Sequence, residues 1–250
     1  MNKFLLNFLR LLTLPNRTTK TADIQSGDFV TGHNEFFLNG KPFIIRAGEL
    51  HYSRIPKKYW DQRIKTAKAM GLNTICINLL WNFHEQEQGI FDFTEKKEVA
   101  EFVYKIHTNG MYCILRPGPS VSAECDMGGL PWWLLRKDLK LQNHSDEFLR
   151  ERMKIYLKEV GKQLAPYQIQ NGGPIILVQV ENEYEPGEND KTHMEIMCNN
   201  IRQVGFDKVQ LLGSDKTSIF SINWKVVFEE SDDSFKATNG TENAFRLPLI

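Results

Sequence analysis

The stretch GGPIILVQVENEY (residues 172–184) joins an apolar, β-branched run to an acidic end. The apolar run at residues 174–180 begins at the proline of a Gly-Gly-Pro break. Such a run is typical of a buried parallel strand. Carboxylates at the end of such a strand are costly to desolvate unless they have a use. Because α/β barrels hold their active sites at the carboxyl ends of the strands, Glu183 is a candidate catalytic acid, and Asn182 can hydrogen-bond a substrate. In the alternative interpretation, the two glutamates only mark the point where the strand reaches solvent.

The charge balance restricts the partners of the protein. The chain has 250 residues, with 31 basic and 31 acidic side chains and a formal net charge of zero. Nucleic-acid or anionic-membrane binding would require a basic surplus, so we expect neither partner. The length allows one large domain, and the hydrophobic fraction of 41% is ordinary for a globular protein.

The cysteines and histidines show no metal-binding pattern. None of Cys76, Cys113, Cys125 and Cys198 forms a C-x-x-C pair, and two of them lie in predicted strands. We therefore expect buried free thiols. The six histidines have no metal-ligand spacing, and His84-Glu85 is not part of a zinc-protease motif. We expect neither a metal nor a cofactor.

The first 28 residues predict a segment distinct from the domain at residues 29–250. MNKFLLNFLRLLTLP (residues 1–15) is too short and too charged for a transmembrane helix. It fits a poor signal peptide or an amphipathic helix equally well, and a polar linker follows it. A signal peptide would make the protein periplasmic or secreted, and its absence would make it cytoplasmic.

Strand and helix patterns alternate after an initial hairpin. FFLNGKPFII (residues 36–45) places Asn-Gly between two apolar runs, which predicts a type I′ turn. The predicted strands are residues 46–51, 73–81, 111–116, 174–180, 209–212 and 222–228. The predicted helices are residues 56–70, 99–106, 145–164 (capped by Ser145) and 194–204. This alternation predicts βα units on a parallel sheet.

The pattern alone allows a doubly wound sheet or a closed barrel. No glycine-rich nucleotide-binding motif follows the first strand, which disfavours the doubly wound alternative. Polar residues recur after successive strands, at residues 49–51, 81–85, 116–124 and 181–183. Such repetition is typical of the single rim of a barrel. The long loop at residues 117–144 is of a length that is usually functional.

Five motifs in this order resemble glycoside hydrolase family 35, the β-galactosidases. They are GELHYSRIP (48–56), WNFHEQEQGIFDF (81–93), LRPGP (115–119), AECDMGGLPWWLL (123–135) and QNGGPIILVQVENEY (170–184). The resemblance implies a (β/α)8 TIM barrel, of which about six of the eight strands are present. It also implies retaining hydrolysis of terminal non-reducing β-D-galactose from a β-galactoside or oligosaccharide.

The resemblance assigns roles to particular residues. It implies that Glu183 is the general acid-base that protonates the glycosidic oxygen and later activates water. It implies that Asn182, Glu124 and Ala123 bind the galactose. Asn78 stands where the family has a sugar-contacting tyrosine, so it is a further substrate-binding candidate. Glu181 is expected to have a structural role.

The family's nucleophile, a glutamate in a Ser-Glu-Phe-type context, is absent from the 250 residues. Glu229 and Glu230 lie in a solvated acidic run and are poor substitutes. Ser120 and Cys125 also depart from the family pattern. Two hypotheses follow: a β-galactosidase-type enzyme, or a catalytically inactive truncated remnant or sugar-binding protein. Because the nucleophile is missing, we expect the 250-residue chain itself to be inactive.

Overall fold

Two sheets organise the fold, and the computed structural model describes residues 27–32, 35–137, 146–181, 191–213 and 245–246. The first sheet is antiparallel, in the order β1-β2-β3, and the second has six strands in the order β8-β7-β6-β5-β4-β9. All pairs in the second sheet are parallel. The strands are β1 (Phe29–Thr31), β2 (Phe36–Leu38), β3 (Lys41–Phe43), β4 (Ala47–Glu49), β5 (Thr74–Asn78), β6 (Tyr112–Arg116), β7 (Ile175–Val180), β8 (Gln210–Gly213) and β9 (Phe245–Arg246).

Helices connect the parallel strands, as the predicted βα units require. They are α1 (Trp60–Ala69), α2 (Trp81–His84), α3 (Val99–Thr108), α4 (Glu147–Leu164) and α5 (Lys191–Gln203). Gly71, Gly110 and Gly205 follow α1, α3 and α5 with positive φ, the left-handed conformation that ends helices and that glycine adopts without steric cost. A glycine therefore ends each of these three helices.

The hairpin has the predicted turn. Asn39 and Gly40 have φ values of 50° and 74°, and Leu38 pairs with Lys41 across the turn. Two positive φ angles are the requirement of a type I′ turn, which matches the twist of the strands on either side. The hairpin does not run on into the parallel sheet, because β4 begins separately at Ala47.

The parallel sheet has one face against the helices and one face turned inward. Ile75, Ile77 and Leu115 belong to the large core that includes the helices. Cys76 and Ile114, on the opposite face, pack instead with a smaller group of apolar side chains. That group contains Leu177 and Leu212 from β7 and β8 and Phe29 from the hairpin sheet. This two-sided burial explains the continuous apolar runs of the strands.

The hairpin sheet covers the amino end of the parallel strands. Phe29 stacks on Phe36 with ring centroids 5.5 Å apart, and it meets the Phe43 ring edge-on at 6.3 Å. The Phe43 ring in turn meets Tyr112, the first residue of β6, at 5.3 Å. Because the hairpin lies at the start of β6, the opposite, carboxyl edge of the sheet is left for polar groups.

The structure corrects two details of the predicted elements. Trp81 begins the short helix α2, so the second parallel strand ends at Asn78. Helix α4 is capped by Asp146 and not by Ser145, because the Asp146 carboxylate accepts from the Leu149 backbone N–H over 2.8 Å.

The predicted strand at residues 222–228 lies outside the described residues, as does Ser145. No pairing joins β8 to β9, so the described sheet is an open part of a barrel.

All four cysteines are free thiols. Cys76 and Cys113 are buried, as expected, whereas Cys125 and Cys198 are only half-buried. Burial raises the pKa of Cys76 to about 11 and has the same effect on Cys198. These thiols therefore stay protonated near neutral pH and act as small apolar groups.

Among the helices that the structure describes, none is long and apolar enough to cross a membrane.

Candidate active site

Three strands bring polar side chains to one point at the carboxyl edge of the parallel sheet. Asn78 ends β5 directly opposite Arg116 of β6, and Glu49 ends β4 opposite Cys76. Side chains two residues apart on a strand share a face, so Asn78 lies on the same face as Cys76. Glu49, Asn78 and Arg116 therefore meet on the inward face, at the edge where TIM barrels hold their active sites.

The Glu49 carboxylate is the centre of this group. Asn78 Nδ2 donates to Glu49 Oε1 over 2.7 Å, and Arg116 Nη1 donates to Glu49 Oε2 over 3.1 Å. His51 Nε2 lies 3.0 Å from Glu49 Oε1. Glu49 and Arg116 are only 7% and 8% exposed, so these contacts replace water around both charges. We call Glu49, His51, Asn78 and Arg116 the Glu49 cluster.

The Glu49 cluster keeps unused hydrogen-bonding capacity. His51 Nδ1, Asn78 Oδ1 and Arg116 Nε are buried and have no hydrogen-bond partner among the described residues. Buried polar atoms in proteins nearly always have a partner, and water or a ligand can supply it. An amide acceptor beside a guanidinium donor suits a hydroxyl group, which both donates and accepts.

The predicted galactose-binding residues Ala123 and Glu124 lie in an unusual turn. Ser122, Ala123 and Glu124 have φ values of 53°, 47° and 48°, the left-handed region that residues other than glycine rarely adopt. The Ala123 side chain is buried in a small apolar cluster with Leu80 and Val121. The Glu124 side chain is exposed. We call residues 122–124 the Ala123 turn.

The acid-base candidate Glu183 comes three residues after the end of β7 in the sequence. Asn182 and Glu183 lie outside the described residues, so their predicted roles stay predictions. Glu181, the last described residue before them, has φ 60° and is buried. Its Oε1 lies 2.8 Å from His193 Nε2 on α5, which fixes the end of β7 against a helix. This contact agrees with the structural role expected for Glu181.

A buried ion pair joins the loops that follow β5 and β6 to α4. The Glu85 carboxylate, which is fully buried, accepts from Trp81 Nε1 and from the Gly89 backbone N–H, both over 2.6 Å. Arg152 of α4 donates to the same carboxylate. Trp133 packs edge-on against Trp81 and donates to the Glu85 backbone carbonyl over 3.1 Å. The loops after β5 and β6 are thereby fixed to each other and to α4.

A second buried polar group joins the loop after β4 to α2. The Tyr52 hydroxyl bonds to His84 Nε2, and His84 Nδ1 lies 2.9 Å from the Asp92 carbonyl oxygen. A carbonyl only accepts, so Nδ1 carries the proton and Nε2 accepts from the tyrosine. Burial lowers the pKa of His84 to about 4, and the nearby Lys97 charge contributes to this shift.

The lowered His84 pKa predicts a loss of stability in mild acid. Between pH 6.5 and about 4 the unfolded histidine binds a proton that the folded one does not, so the free energy of unfolding falls as pH falls through this window. The cost is at most about 3 kcal/mol. In urea unfolding at pH 4 to 7, His84→Gln should show a shallower dependence on pH than the wild type. The exposed His107→Gln is the matched control. Parallel pH curves for wild type and His84→Gln would contradict the prediction.

The structure adds residues that the sequence did not single out as site residues. Glu49 and Arg116 meet across 67 positions of sequence, and Arg54 reaches Ala123 across 69. All three lie in the motifs quoted above. The sequence therefore indicated only that charged residues stand next to predicted buried strands. Their partners could not be assigned without the fold.

Within the described residues, no group of three or more His, Cys, Asp or Glu side chains is placed to hold a metal ion.

The fold and the polar carboxyl edge define an incomplete TIM barrel of the type found in glycosidases. An endo-1,4-beta-mannanase from Rhizomucor miehei matches 78% of this chain and 64% of its own, with a TM-score of 0.55 and 14% identity. The exo-beta-1,4-mannosidase Op5Man5 from Opitutaceae bacterium strain TAV5 matches 70% of this chain and 32% of its own, with a TM-score of 0.54 and 15% identity. At these identities the likeness concerns the fold alone.

The sequence comparisons identify the family. The model of Glycosyl hydrolases family 35 matches residues 35–246, and the chain belongs to this family. The Beta-galactosidase of Xanthomonas manihotis is 40% identical over 188 residues, 75% of this chain and 31% of that protein. Beta-galactosidase-1-like protein 3 of Rattus norvegicus is 39% identical over 189 residues, 75% of this chain and 30% of that protein. The chain thus spans about a third of the length of these relatives.

Proposed function

We propose that this chain contributes the acid-base half of a retaining β-galactosidase site. In this proposal Glu183 protonates the glycosidic oxygen, and Asn182, Glu124, Ala123 and Asn78 bind terminal β-D-galactose. Residues 29–250 form the barrel portion, and residues 1–28 precede it. Membership of the family supports the reaction class, and the names of the relatives from Xanthomonas manihotis and Rattus norvegicus support the sugar.

The observation that carries the proposal is the convergence of polar groups at the carboxyl edge of the sheet. The Glu49 cluster lies at the ends of β4, β5 and β6, and β7 continues directly into Asn182 and Glu183. Because the carboxyl ends of neighbouring parallel strands meet at one edge, this arrangement supports a single site for the sugar-binding and acid-base candidates. The unused donor and acceptor atoms of Arg116 and Asn78 fit the many hydroxyl groups of a sugar.

Retaining hydrolysis needs a second carboxylate at roughly 5 Å from the first. The 250 residues contain no Ser-Glu-Phe sequence, the context of the nucleophile in this family. The departures from the family pattern at Asn78, Ser120 and Cys125 favour a second candidate function, a protein that binds galactose without cleaving it. The two functions share the sugar-binding residues and differ in turnover.

The test measures hydrolysis and binding on the same preparation. Release of 4-nitrophenol from 4-nitrophenyl β-D-galactoside reports turnover, and calorimetric titration with galactose reports binding. Turnover together with binding supports the β-galactosidase proposal, and binding without turnover supports the sugar-binding alternative. Glucose is the matched control, since it differs from galactose only at the C4 hydroxyl. Absence of both turnover and galactose binding at millimolar sugar would show that both proposals are wrong.

A further inference from the structure

The Ala123 turn is a conformation that needs outside support. Three consecutive residues other than glycine have positive φ, at 53°, 47° and 48°. Each such residue costs roughly 1 kcal/mol or more relative to a relaxed backbone, so the surrounding structure must hold the turn in place. Its internal hydrogen bond, from the Cys125 N–H to the Ser122 carbonyl over 2.9 Å, closes the turn but does not fix its orientation.

Arg54 supplies contacts to this turn from another part of the chain. Its Nη2 donates to the Ala123 carbonyl oxygen and lies 3.4 Å from the Glu124 carbonyl oxygen. The same nitrogen is 2.9 Å from Cys125 Sγ. One guanidinium therefore contacts three successive residues, two of them through their backbone carbonyl oxygens. Hydrogen bonds from a charged donor are among the stronger ones in proteins.

The segment that carries Arg54 is itself rigid. Tyr52, two residues earlier, is fully buried, and Ile55, the next residue, is also buried. Trp60 Nε1 donates to the Ile55 carbonyl over 2.9 Å and approaches the Tyr52 carbonyl at 3.3 Å. The backbone on both sides of Arg54 is therefore fixed by α1. A donor on such a support can hold a strained loop in one geometry.

We propose that Arg54 is a positioning residue for sugar binding, which acts by holding the Ala123 turn so that Glu124 faces the substrate. The inference rests on the proposed function, because it assumes that Glu124 binds galactose. Arg54 itself does not touch the sugar in this account. The burial of Ala123 against Leu80 and Val121 anchors one side of the turn, and Arg54 anchors the carbonyl side.

The experiment compares galactose affinity in Arg54→Gln and Arg54→Lys with the wild type. Loss of the charged hydrogen bonds should raise the galactose Kd about tenfold or more in Arg54→Gln. The lysine variant keeps one charged donor and should fall between the two. Arg46→Gln is the matched control, because Arg46 Nε also donates to a backbone carbonyl, that of Gly71, at the opposite end of β4. Its galactose Kd should equal that of the wild type.

Hydrogen exchange separates this inference from the proposed function. In Arg54→Gln, the amides of Val121, Cys125 and Gly128, which are bonded within the loop, should exchange at least tenfold faster, whereas the β6 amides stay unchanged. A wild type that does not bind galactose, with faster exchange in Arg54→Gln, would overturn the sugar-binding proposal but keep the support of the turn by Arg54. Unchanged exchange and Kd in a folded Arg54→Gln would overturn the inference. So would a lowered Tm with an unchanged Kd, since that marks a purely structural residue.

Discussion

Glu183→Gln is expected to lower kcat/KM by about 10²- to 10⁴-fold for a β-galactoside with a poor leaving group, such as lactose, in a protein that contains this chain together with the nucleophile. The amide keeps the shape of the side chain but cannot give a proton to the departing oxygen. A substrate whose leaving group is already stable, such as 2,4-dinitrophenyl β-D-galactoside, does not need that proton. Bond cleavage in this substrate should therefore be far less affected. The measurement is the ratio of kcat/KM of wild type to variant for the two substrates, because kcat/KM reports the cleavage of the glycosidic bond and excludes the later water attack that Glu183 also assists.

The difference between the two substrates identifies the role of Glu183. An equal loss for both would contradict acid catalysis and would indicate a role in binding or folding. Glu195→Gln is the matched control, because Glu195 lies on α5 with an exposed side chain. Its kinetics should match those of the wild type with either substrate. Unaltered turnover of lactose by Glu183→Gln would exclude the glutamate as the proton donor.

Arg116→Met is expected to destabilise the fold by about 3 to 5 kcal/mol, the range for removing one member of a buried ion pair. The change takes the guanidinium away from the Glu49 carboxylate, which is 7% exposed and cannot regain its water without opening the sheet edge. Methionine fills a similar volume, so the effect is mainly electrostatic. Chemical denaturation at pH 7 measures the loss.

A double variant separates charge from packing in this prediction. Arg116→Met combined with Glu49→Leu removes both charges, and it should recover much of the stability that the single variant loses. Lys65→Met is the matched surface control, since Lys65 pairs with Asp61 at 2.5 Å but is 64% exposed. It should change the free energy of unfolding by less than about 1 kcal/mol. A double variant as unstable as Arg116→Met would contradict the electrostatic explanation.

Local chemistry explains why much of the fold is predictable. The apolar run of β7, the Asn39-Gly40 turn and the glycine that follows α1 each depend on a few neighbouring residues. Their conformational preferences act within one turn or one strand, so they can be recognised without the rest of the molecule. The alternation of these elements predicts parallel βα units, and the described sheet confirms them.

Competition between neighbouring residues limits the prediction of boundaries. Ser145 and Asp146 are both good helix caps, and only the placement of α4 selects Asp146. Trp81 continues an apolar run, yet it begins α2 because its ring stacks on Tyr156 of α4, with centroids 5.0 Å apart. Gly161 lies inside α4, where its low helix propensity is unfavourable. A Cβ at this residue would lie 2.1 Å from the Val204 carbonyl oxygen after α5, so close helix packing requires the glycine.

The sequence by itself determined the parallel βα units, the hairpin turn, the glycines that follow the helices and the motifs that contain Glu124, Asn182 and Glu183. These features depend on local periodicity, turn chemistry and short residue patterns. Only the tertiary structure decided that Glu49 binds Asn78 and Arg116, and that Arg54 holds the Ala123 turn. The physical reason is that hydrogen bonds and ion pairs depend on distance in space. Glu49 and Arg116 are 67 residues apart in the sequence, and Arg54 and Ala123 are 69 residues apart. No local pattern encodes a pairing across a loop of that length.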